Sequence, residues 1–393
     1  MRDHARPPVI ALAVAAVLAA CAPAPEAAPK AVPVVTPAAT APAPPRVPSG
    51  DGLPGQAVFV TFAGADSAFV LLAECEGEQG TAGQRCRQHI GVLEDGRWHL
   101  RRSPLPDITG DDGITADIRA LAPGQALVTV GTGRDPDRTW VTADGARTWT
   151  RGTTEVKGTV DAVPPGALLV TDCRGIEDGG CVESRLALVM PGTGEHRALA
   201  TQPALTGVLV PAGTSRDGAR WVSGVDPATR LPALAVTHDA GRTWQTRALQ
   251  GPGREDTWGL RVVDSGTVLY AVERGQLPPE EVVKNGLRAI HRSTDNGRTW
   301  ERVWSFRPGR DPRSVLADVV VTPAGTLILH AEDGVYRSED GGRTFSKTAG
   351  GPTPGTVTWT PIGYVWSHDG GPGEYKVSLD GLTWHTFVLG GSG

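Results

Sequence analysis

The stretch RSTDNGRTW, residues 292–300, recurs along this chain with small changes. THDAGRTW stands at 237–244 and SEDGGRTF at 338–345, while TADGARTW at 142–149 and SLDGLTW at 378–384 are looser copies. Apolar and polar residues alternate on both sides of the copies, and an Asp-x-Gly turn between two such runs is typical of a β-hairpin. The motif is therefore predicted to be the turn between two strands of a repeated unit.

The spacing of the copies predicts the size of this unit. Trp244, Trp300, Phe345 and Trp384 follow one another at intervals of about forty to fifty-five residues, the length of a four-stranded propeller blade. The interval from Trp149 to Trp244 is about twice as long, so a blade without the motif is expected between them. The predicted blades are approximately 55–103, 104–152, 157–200, 204–250, 256–306, 312–349 and 354–391. The predicted fold is all-β, a seven-bladed β-propeller of four-stranded antiparallel blades, with six or eight blades as alternatives because the third rests on strand pattern alone.

The pattern S/T-x-D-x-G-x-T-W resembles the Asp-box, or BNR repeat, of sialidase-like β-propellers. This sequence departs from the pattern at Ala146, which replaces a glycine, at Phe345, which replaces tryptophan, and at 378–384, which is one residue short. The resemblance implies that the motif joins the third and fourth strands of a blade, on the face opposite the usual ligand site. The residues assigned to these structural turns are Asp144, Trp149, Asp239, Trp244, Asp295, Trp300, Asp340, Phe345, Asp380 and Trp384.

Two roles are open to the motif aspartates, a turn residue or a catalytic carboxylate. An aspartate can accept hydrogen bonds from N–H groups of its own turn, glycine supplies positive φ, and the aromatic residue can pack between blades. A catalytic role would require several equivalent copies to be catalytic. The structural role is favoured, and function is expected on the opposite face, in loops between second and third strands and in blade-to-blade connections.

The first fifty residues differ in composition from the rest. Arg2 and Arg6 precede an apolar run at 9–20 of the length found in signal peptides. LAAC at 18–21 resembles the lipobox of bacterial lipoproteins, which implies a lipid on Cys21; an ordinary signal peptide is the alternative. The predicted organisation is a signal peptide at 1–20, an Ala/Pro-rich tether at 21–50 and a propeller at 51–393, outside the cytoplasm and anchored to a bacterial membrane.

The four remaining cysteines are an even set in a chain predicted to be exported. Cys75 with Cys86 and Cys173 with Cys181 are the simplest disulfide pairs because each pair is close in sequence. A zinc site is disfavoured, since the spacing is wrong and no histidines follow at finger spacing.

Two classes of function compete. The resemblance implies that a sialidase-like glycoside hydrolase would need three arginines, a tyrosine nucleophile paired with a glutamate, and an aspartate acid. Two tyrosines are candidates for an inward-pointing nucleophile: Tyr270, with Glu273 nearby, and Tyr364. The first predicted strand, QAVFVTFAGADS at 56–67, has no arginine for the substrate-binding set. No complete catalytic set is visible, and the acidic stretch 107–117 misses the calcium-loop pattern.

The favoured interpretation is a non-catalytic binding or assembly module for a protein, peptide or envelope glycan. No metal or cofactor is expected, and the chain is predicted to be monomeric. The net charge is −5 and the arginines are scattered, which argues against nucleic acid. The ligand residues are not identifiable, but the loop 273–288 is expected on the functional face, with a short helical turn after its prolines.

Overall fold

The computed structural model describes residues 43–77, 83–109, 116–131, 138–177, 180–250, 257–351, 353, 355–368 and 373–391. The described residues form seven β-sheets arranged as the blades of a ring, so the predicted seven-bladed β-propeller is confirmed. The predicted signal peptide and Cys21 lie outside the described residues. Among the described residues, no helix is long and apolar enough to cross a membrane.

The first three blades comprise strands β1 to β13. Blade 1 contains β1 (Gln56–Gly64), β2 (Ser67–Glu76), β3 (Arg85–Glu94) and β4 (Arg97–Arg102), with the short β5 (Ile108–Thr109) beside β3. Blade 2 contains β6 (Ala116–Ala122), β7 (Gln125–Val130), β8 (Arg138–Thr142) and β9 (Thr150–Gly152). Blade 3 contains β10 (Val156–Val160), β11 (Leu168–Glu177), β12 (Gly180–Val189) and β13 (His196–Leu199).

The other four blades comprise strands β14 to β29. Blade 4 contains β14 (Thr206–Thr214), β15 (Arg220–Val225), β16 (Pro232–Thr237) and β17 (Gln245–Ala248). Blade 5 contains β18 (Thr257–Asp264), β19 (Leu269–Gly275), β20 (Leu287–Ser293) and β21 (Glu301–Ser305). Blade 6 contains β22 (Val320–Val321), β23 (Leu327–Ala331), β24 (Gly334–Ser338) and β25 (Ser346–Gly350). Blade 7 contains β26 (Gly355–Thr360), β27 (Gly363–His368), β28 (Glu374–Ser378) and β29 (His385–Val388).

Six blades are simple antiparallel meanders, and blade 3 differs in one pairing. Its first strand, β10, does not pair with β11 but lies parallel to β13 at the other edge of the sheet. Blade 3, like blade 1, lacks the motif; its third and fourth strands are joined by 190–195, where Met190 N–H donates to the Glu195 carbonyl. Outside blade 3, first strands of neighbouring blades contact one another, as β1 with β6 and β14 with β18, so these strands line the ring axis; in blade 3, β11 contacts β14.

The core lies between the blades. Each sheet presents alternate side chains to the blade before it and the blade after it, so strands such as β16 are buried along their whole length. Between blades 5 and 6, Tyr270 and Ile290 pack against Leu329 and Tyr336. A blade cannot bury both faces alone, so its stability depends on its neighbours.

The seam between blades 7 and 1 is held by residues on either side of the ring. Gly50 N–H donates to the Val388 carbonyl, and Gly390 and Gly391 N–H donate to the carbonyls of Gly50 and Leu53. Val47 is buried in the apolar cluster shared by the two blades. The folded ring therefore begins earlier than the predicted boundary at residue 51, because 43–50, assigned to the tether, includes residues that pack against it.

Both predicted disulfides are confirmed. Cys75 and Cys86 face each other on β2 and β3, and Cys173 joins Cys181 across β11 and β12, so each bond links the second and third strands of its blade. Such bonds are typical of exported proteins.

We expect none of these four cysteines in protein isolated under oxidising conditions to react with a maleimide after unfolding in denaturant. Reductant added before the maleimide should expose four thiols in the folded part of the chain, counted by mass spectrometry of peptides. Labelling of Cys75 or Cys173 without reductant would contradict the pairing.

Candidate functional site

The motif turns share one hydrogen-bond arrangement in blades 2, 4, 5 and 6, and blade 7 has a variant of it. In blade 5, Gly297 N–H donates to Ser293 Oγ at 2.8 Å, and the Ser293 hydroxyl donates to Asp295 Oδ1 at 2.8 Å. Thr299 N–H donates to Oδ1 of the same aspartate at 2.9 Å and its hydroxyl to Oδ2 at 2.6 Å. Asp144, Asp239 and Asp340 accept the same pair of bonds from the following threonine, and Asp380 accepts two backbone N–H groups. These carboxylates are engaged within their own turns.

The four full-length motif turns need two consecutive residues with positive φ. In blade 5 these are Asn296 and Gly297, and in blade 2 they are Gly145 and Ala146, at φ 69° and 61°. Ala146 therefore takes the left-handed conformation that glycine supplies in other copies. Gly297 also permits a close approach, because a Cβ there would lie 2.2 Å from the Trp221 ring of blade 4.

Hydrogen bonding lowers the pKa of the motif aspartates. The Thr299 hydroxyl and then its N–H lower the pKa of Asp295 to about 2, and Thr243 and Thr148 do the same for Asp239 and Asp144. A general acid for glycoside hydrolysis needs the opposite, a raised pKa. These aspartates therefore suit structural turns.

Stability should consequently fall in acid. The folded-state pKa of these aspartates is about 2, below the unfolded value of about 3.9, so their stabilisation is present above about pH 4 and lost as pH falls toward 2. We expect the melting temperature to drop most steeply between about pH 4 and 2, measured by circular dichroism. Asp295→Asn should flatten this dependence, whereas Asp66→Asn, outside the motif, should not. An equal slope in both variants would refute the assignment.

The loops between second and third strands lie at the opposite end of each blade from the motif turns. Strands alternate in direction, so turns after the third strand share an end with turns after the first, and loops after the second strand share the other. We call this second end the loop face. Both disulfides lie toward it, as does the described loop 276–285 between β19 and β20.

The 276–285 loop is tightly bound to blade 6. Glu332 Oε1 accepts the N–H groups of Lys284 and Asn285 at 2.9 and 2.8 Å, and Arg313 donates to Glu281 Oε2 at 3.1 Å. The predicted helical turn is wrong: Glu281 N–H donates to the Pro278 carbonyl in an isolated turn, and no helix follows. This loop leaves the Val282 side chain 93% exposed on a fixed support.

Large apolar side chains are exposed on the loop face and along the axis. Ile176, at the end of β11, is 72% exposed, and Trp258, at the start of β18, is 54% exposed. Phe59 on β1, a strand that lines the axis, is 43% exposed. Exposed aromatic and apolar groups on rigid supports are typical of binding surfaces.

The exposure of Trp258 could not be predicted from the strand pattern. Trp258 shares the alternation phase of the buried Leu260 and Val262, so a regular strand would bury it. The strand is irregular between Thr257 and Gly259, where the register shifts and Gly259 takes φ 116°. The one available signal was a tryptophan outside the motif at the start of a first strand.

Arginines pair with two of the described carboxylates of blades 5 and 6, Asp318 and Glu273. Arg261 donates to both oxygens of Asp318, at 3.1 and 3.2 Å, and Trp359 N–H donates to Asp318 Oδ2 at 2.9 Å. Burial, and secondarily the charge of Arg261, lowers the pKa of the neighbouring Arg274. Arg288 donates to the buried Glu273 at 3.3 Å, and Thr257 donates to it at 2.7 Å.

The tyrosines are all buried in the blade interfaces. Tyr270 packs against blade 6, whereas Glu273, three residues on, faces the other side of the strand, so the two do not form a pair. Tyr364 donates to the Val321 carbonyl and accepts from its N–H, and burial raises the pKa of this phenol to about 12. Tyr336 and Tyr375 are also buried. None of the four is placed as a nucleophile facing the axis.

Other predicted features fall partly outside the described residues. Residues 110–115 of the acidic stretch 107–117 are not described, while its start forms β5. Two segments of the expected functional face, residues 132–137 before β8 and the blade-to-blade connection at 251–256, are likewise outside. Among the described residues, no group of three or more metal-ligating side chains is present.

Comparison with known proteins gives partial matches. No family model matches the chain. A xyloglucanase of Paenibacillus is 36% identical over 109 residues, which cover 25% of this chain and 9% of that enzyme. The structural match to a GH74 enzyme of Niastella koreensis covers 84% of this chain and 54% of the chain of that enzyme, at 14% identity and a TM-score of 0.27. Trypanosoma rangeli sialidase covers 85% and 54%, at 10% identity and a TM-score of 0.34. The chain thus spans about a tenth of the curated relatives that it matches and about half of these two solved structures.

Proposed function

We propose that this propeller is a non-catalytic binding module that takes a glycan on its loop face. The observation that carries the proposal is Trp258, an indole 54% exposed at the start of an axis-lining strand. An exposed indole offers a flat apolar surface of the kind on which a sugar ring stacks. Its position at the start of β18 places it on the loop face, the end of the ring at which the loops after the second strands lie.

The arrangement of charged groups supports binding over catalysis. Among the described residues, each carboxyl group with a shifted pKa has that pKa lowered. These groups are the motif aspartates, Asp380 included, together with Asp226 and Asp333. Asp318 and Glu273 near the axis already hold arginines. Glycoside hydrolysis needs one carboxyl that keeps its proton near neutral pH and a second that is free to act on sugar or water.

The segment shared with a xyloglucanase supports a polysaccharide as the ligand class. It also keeps a glycoside hydrolase as the second candidate. The two separate in one experiment: incubation with xyloglucan should show retention of the protein on affinity electrophoresis and no release of reducing ends. Release of reducing ends at a rate above that of heated protein would favour the hydrolase.

Replacement of Trp258 by alanine is the sharpest test of the loop face. We expect Trp258→Ala to weaken glycan binding about five- to thirtyfold, since stacking on an exposed ring is worth on the order of 1–2 kcal/mol. Leu100→Ala, which removes another exposed apolar side chain in β4, serves as a matched control and should bind normally. Equal binding by the two variants would exclude Trp258 as part of the site.

The same proposal places the propeller outside the cytoplasm on a lipid anchor at Cys21. The two disulfides support an oxidising compartment. Cys21→Ser should move the protein from the membrane fraction to the soluble fraction without changing its melting temperature. Retention of the variant in membranes would count against the anchor.

A further inference from the structure

The interface between blades 6 and 7 is incompletely filled. Its cluster has three fully buried members, Val320, Val357 and Tyr364, while the other side chains packed against them, Ile328, Trp359, Trp366 and Trp384, are only partly buried. Beside this cluster lies a cavity of about 360 Å³, bounded by Val320, Ile328, His330, Val335, Trp366 and Trp384, with Lys376 and Gly381 at its edge. Cavities of this size hold small ligands.

In the described part of the chain, the two preceding inter-blade interfaces contain a pair of aromatic rings that the interface between blades 6 and 7 lacks. The motif aromatic of blade 5, Trp300, meets Trp221 of blade 4 edge to face at 5.9 Å, and Phe345 of blade 6 meets Trp304 of blade 5 at 6.5 Å. The motif aromatic of blade 7 is Trp384. Among the described residues, no aromatic ring of blade 6 packs against it.

The difference is traceable to one residue. Trp304 is the fourth residue of β21 and pairs with Ile290; Ala349 is the fourth residue of β25 and pairs with Val335. Both pairs are followed by the same register shift, so the two positions are equivalent. Trp304 is 1% exposed, whereas Ala349 is exposed. Blade 6 therefore carries a methyl group where blade 5 carries an indole.

The polar groups of the cavity are few and specific. Nδ1 of His330 is sealed from solvent without a hydrogen-bond partner among the described residues, so Nε2 is the ring nitrogen that a ligand can meet. Burial lowers the pKa of His330, which keeps the imidazole neutral at pH 7, so one ring nitrogen is an acceptor. Lys376 Nζ lies 4.7 Å from the centre of the Trp366 ring and pairs with Glu374 at 3.2 Å.

We propose that this cavity is a second ligand site, distinct from the loop face, which binds a neutral aromatic ring bearing one N–H or O–H donor, the indole and phenol class. The aromatic ring of the ligand packs against Trp384, in the position that corresponds to Trp304 one blade earlier. The N–H or O–H donor of the ligand hydrogen-bonds to His330. A sugar fits poorly, because several hydroxyl groups would lose water with only His330 and Lys376 to receive them. The cavity has room, since an apolar cavity of about 150 Å³ already binds benzene.

Indole is the probe, measured by calorimetry and by the indole N–H resonances of the chain's tryptophans. We expect one indole per chain, with the Trp366 and Trp384 resonances shifting more than those of Trp221 and Trp304. Indene, which has the same shape without the N–H, should bind about five- to tenfold more weakly. His330→Phe should abolish this preference.

Ala349→Trp refills the cavity from within and should weaken indole binding at least about tenfold, while Ala349→Ser, which leaves it open, should bind normally. The proposal is overturned if indole at millimolar concentration leaves the Trp366 and Trp384 resonances unmoved, or if folded Ala349→Trp binds as well as the original chain. The resonance test in the original chain stands even if Ala349→Trp fails to fold.

Two further probes distinguish whether the bound aromatic group belongs to a peptide or to a free small molecule. N-acetyl-tryptophanamide bound as tightly as free indole would indicate an aromatic side chain of a peptide, and binding of indole alone would indicate a free small molecule. Preferential binding of methyl glucoside at Trp384 would overturn the assignment of ligand class.

Discussion

Replacement of Trp221 by alanine is expected to lower the free energy of unfolding by about 3–5 kcal/mol. The indole is buried between blades 4 and 5, meets Trp300 edge to face, and donates from Nε1 to Ser215 Oγ at 2.6 Å. Its removal leaves a cavity, an unpaired motif aromatic and a buried hydroxyl without its partner. Denaturant unfolding followed by far-ultraviolet circular dichroism measures the change.

The control for this prediction is Trp258→Ala, which removes the same side chain from an exposed position. It should alter stability by less than about 0.5 kcal/mol, because surface substitutions away from special features have small effects. A loss in Trp221→Ala no larger than in Trp258→Ala would contradict the inter-blade core described above.

The second large effect is expected from truncation at the seam. A chain beginning at residue 51 should be less stable than one beginning at residue 43 by about 3–6 kcal/mol, from the burial of Val47 and several lost hydrogen bonds. The lost bonds include Trp98 Nε1 to the Pro48 carbonyl at 2.7 Å and Gly50 N–H to the Val388 carbonyl at 2.7 Å. Equal melting temperatures for the two truncations would show that 43–50 do not contribute to the ring.

The repeated motif made the fold predictable from the sequence. Each copy carries its own turn chemistry, so five of the seven blades could be counted, and the pairing of cysteines close in sequence followed from an even number in an exported chain. The parallel pairing of β10 with β13 could not be predicted, because alternation shows that a strand exists but not which edge of the sheet it joins.

The site was less predictable than the fold. Tyr270 and Glu273 are close in sequence, yet the alternation of a strand turns them to opposite faces. The exposure of Trp258 depends on a register shift at Gly259. The cavity beside Trp384 depends on Ala349, which occupies the position of Trp304 in the preceding blade. Such features arise where one repeat differs from the others, whereas the fold could be predicted because the repeats share a motif.

Among the described residues, the named strands of each sheet come from one segment of the chain, and the two ends of the chain are joined by the isolated bridges Gly50–Leu389 and Gln56–Gly390 and not by a shared strand. A duplication or deletion of a single repeat in the gene would therefore add or remove a complete sheet and split none. The number of blades can change in one recombination event, and the segments at 47–53 and 388–391 would close the new circle as they close this one.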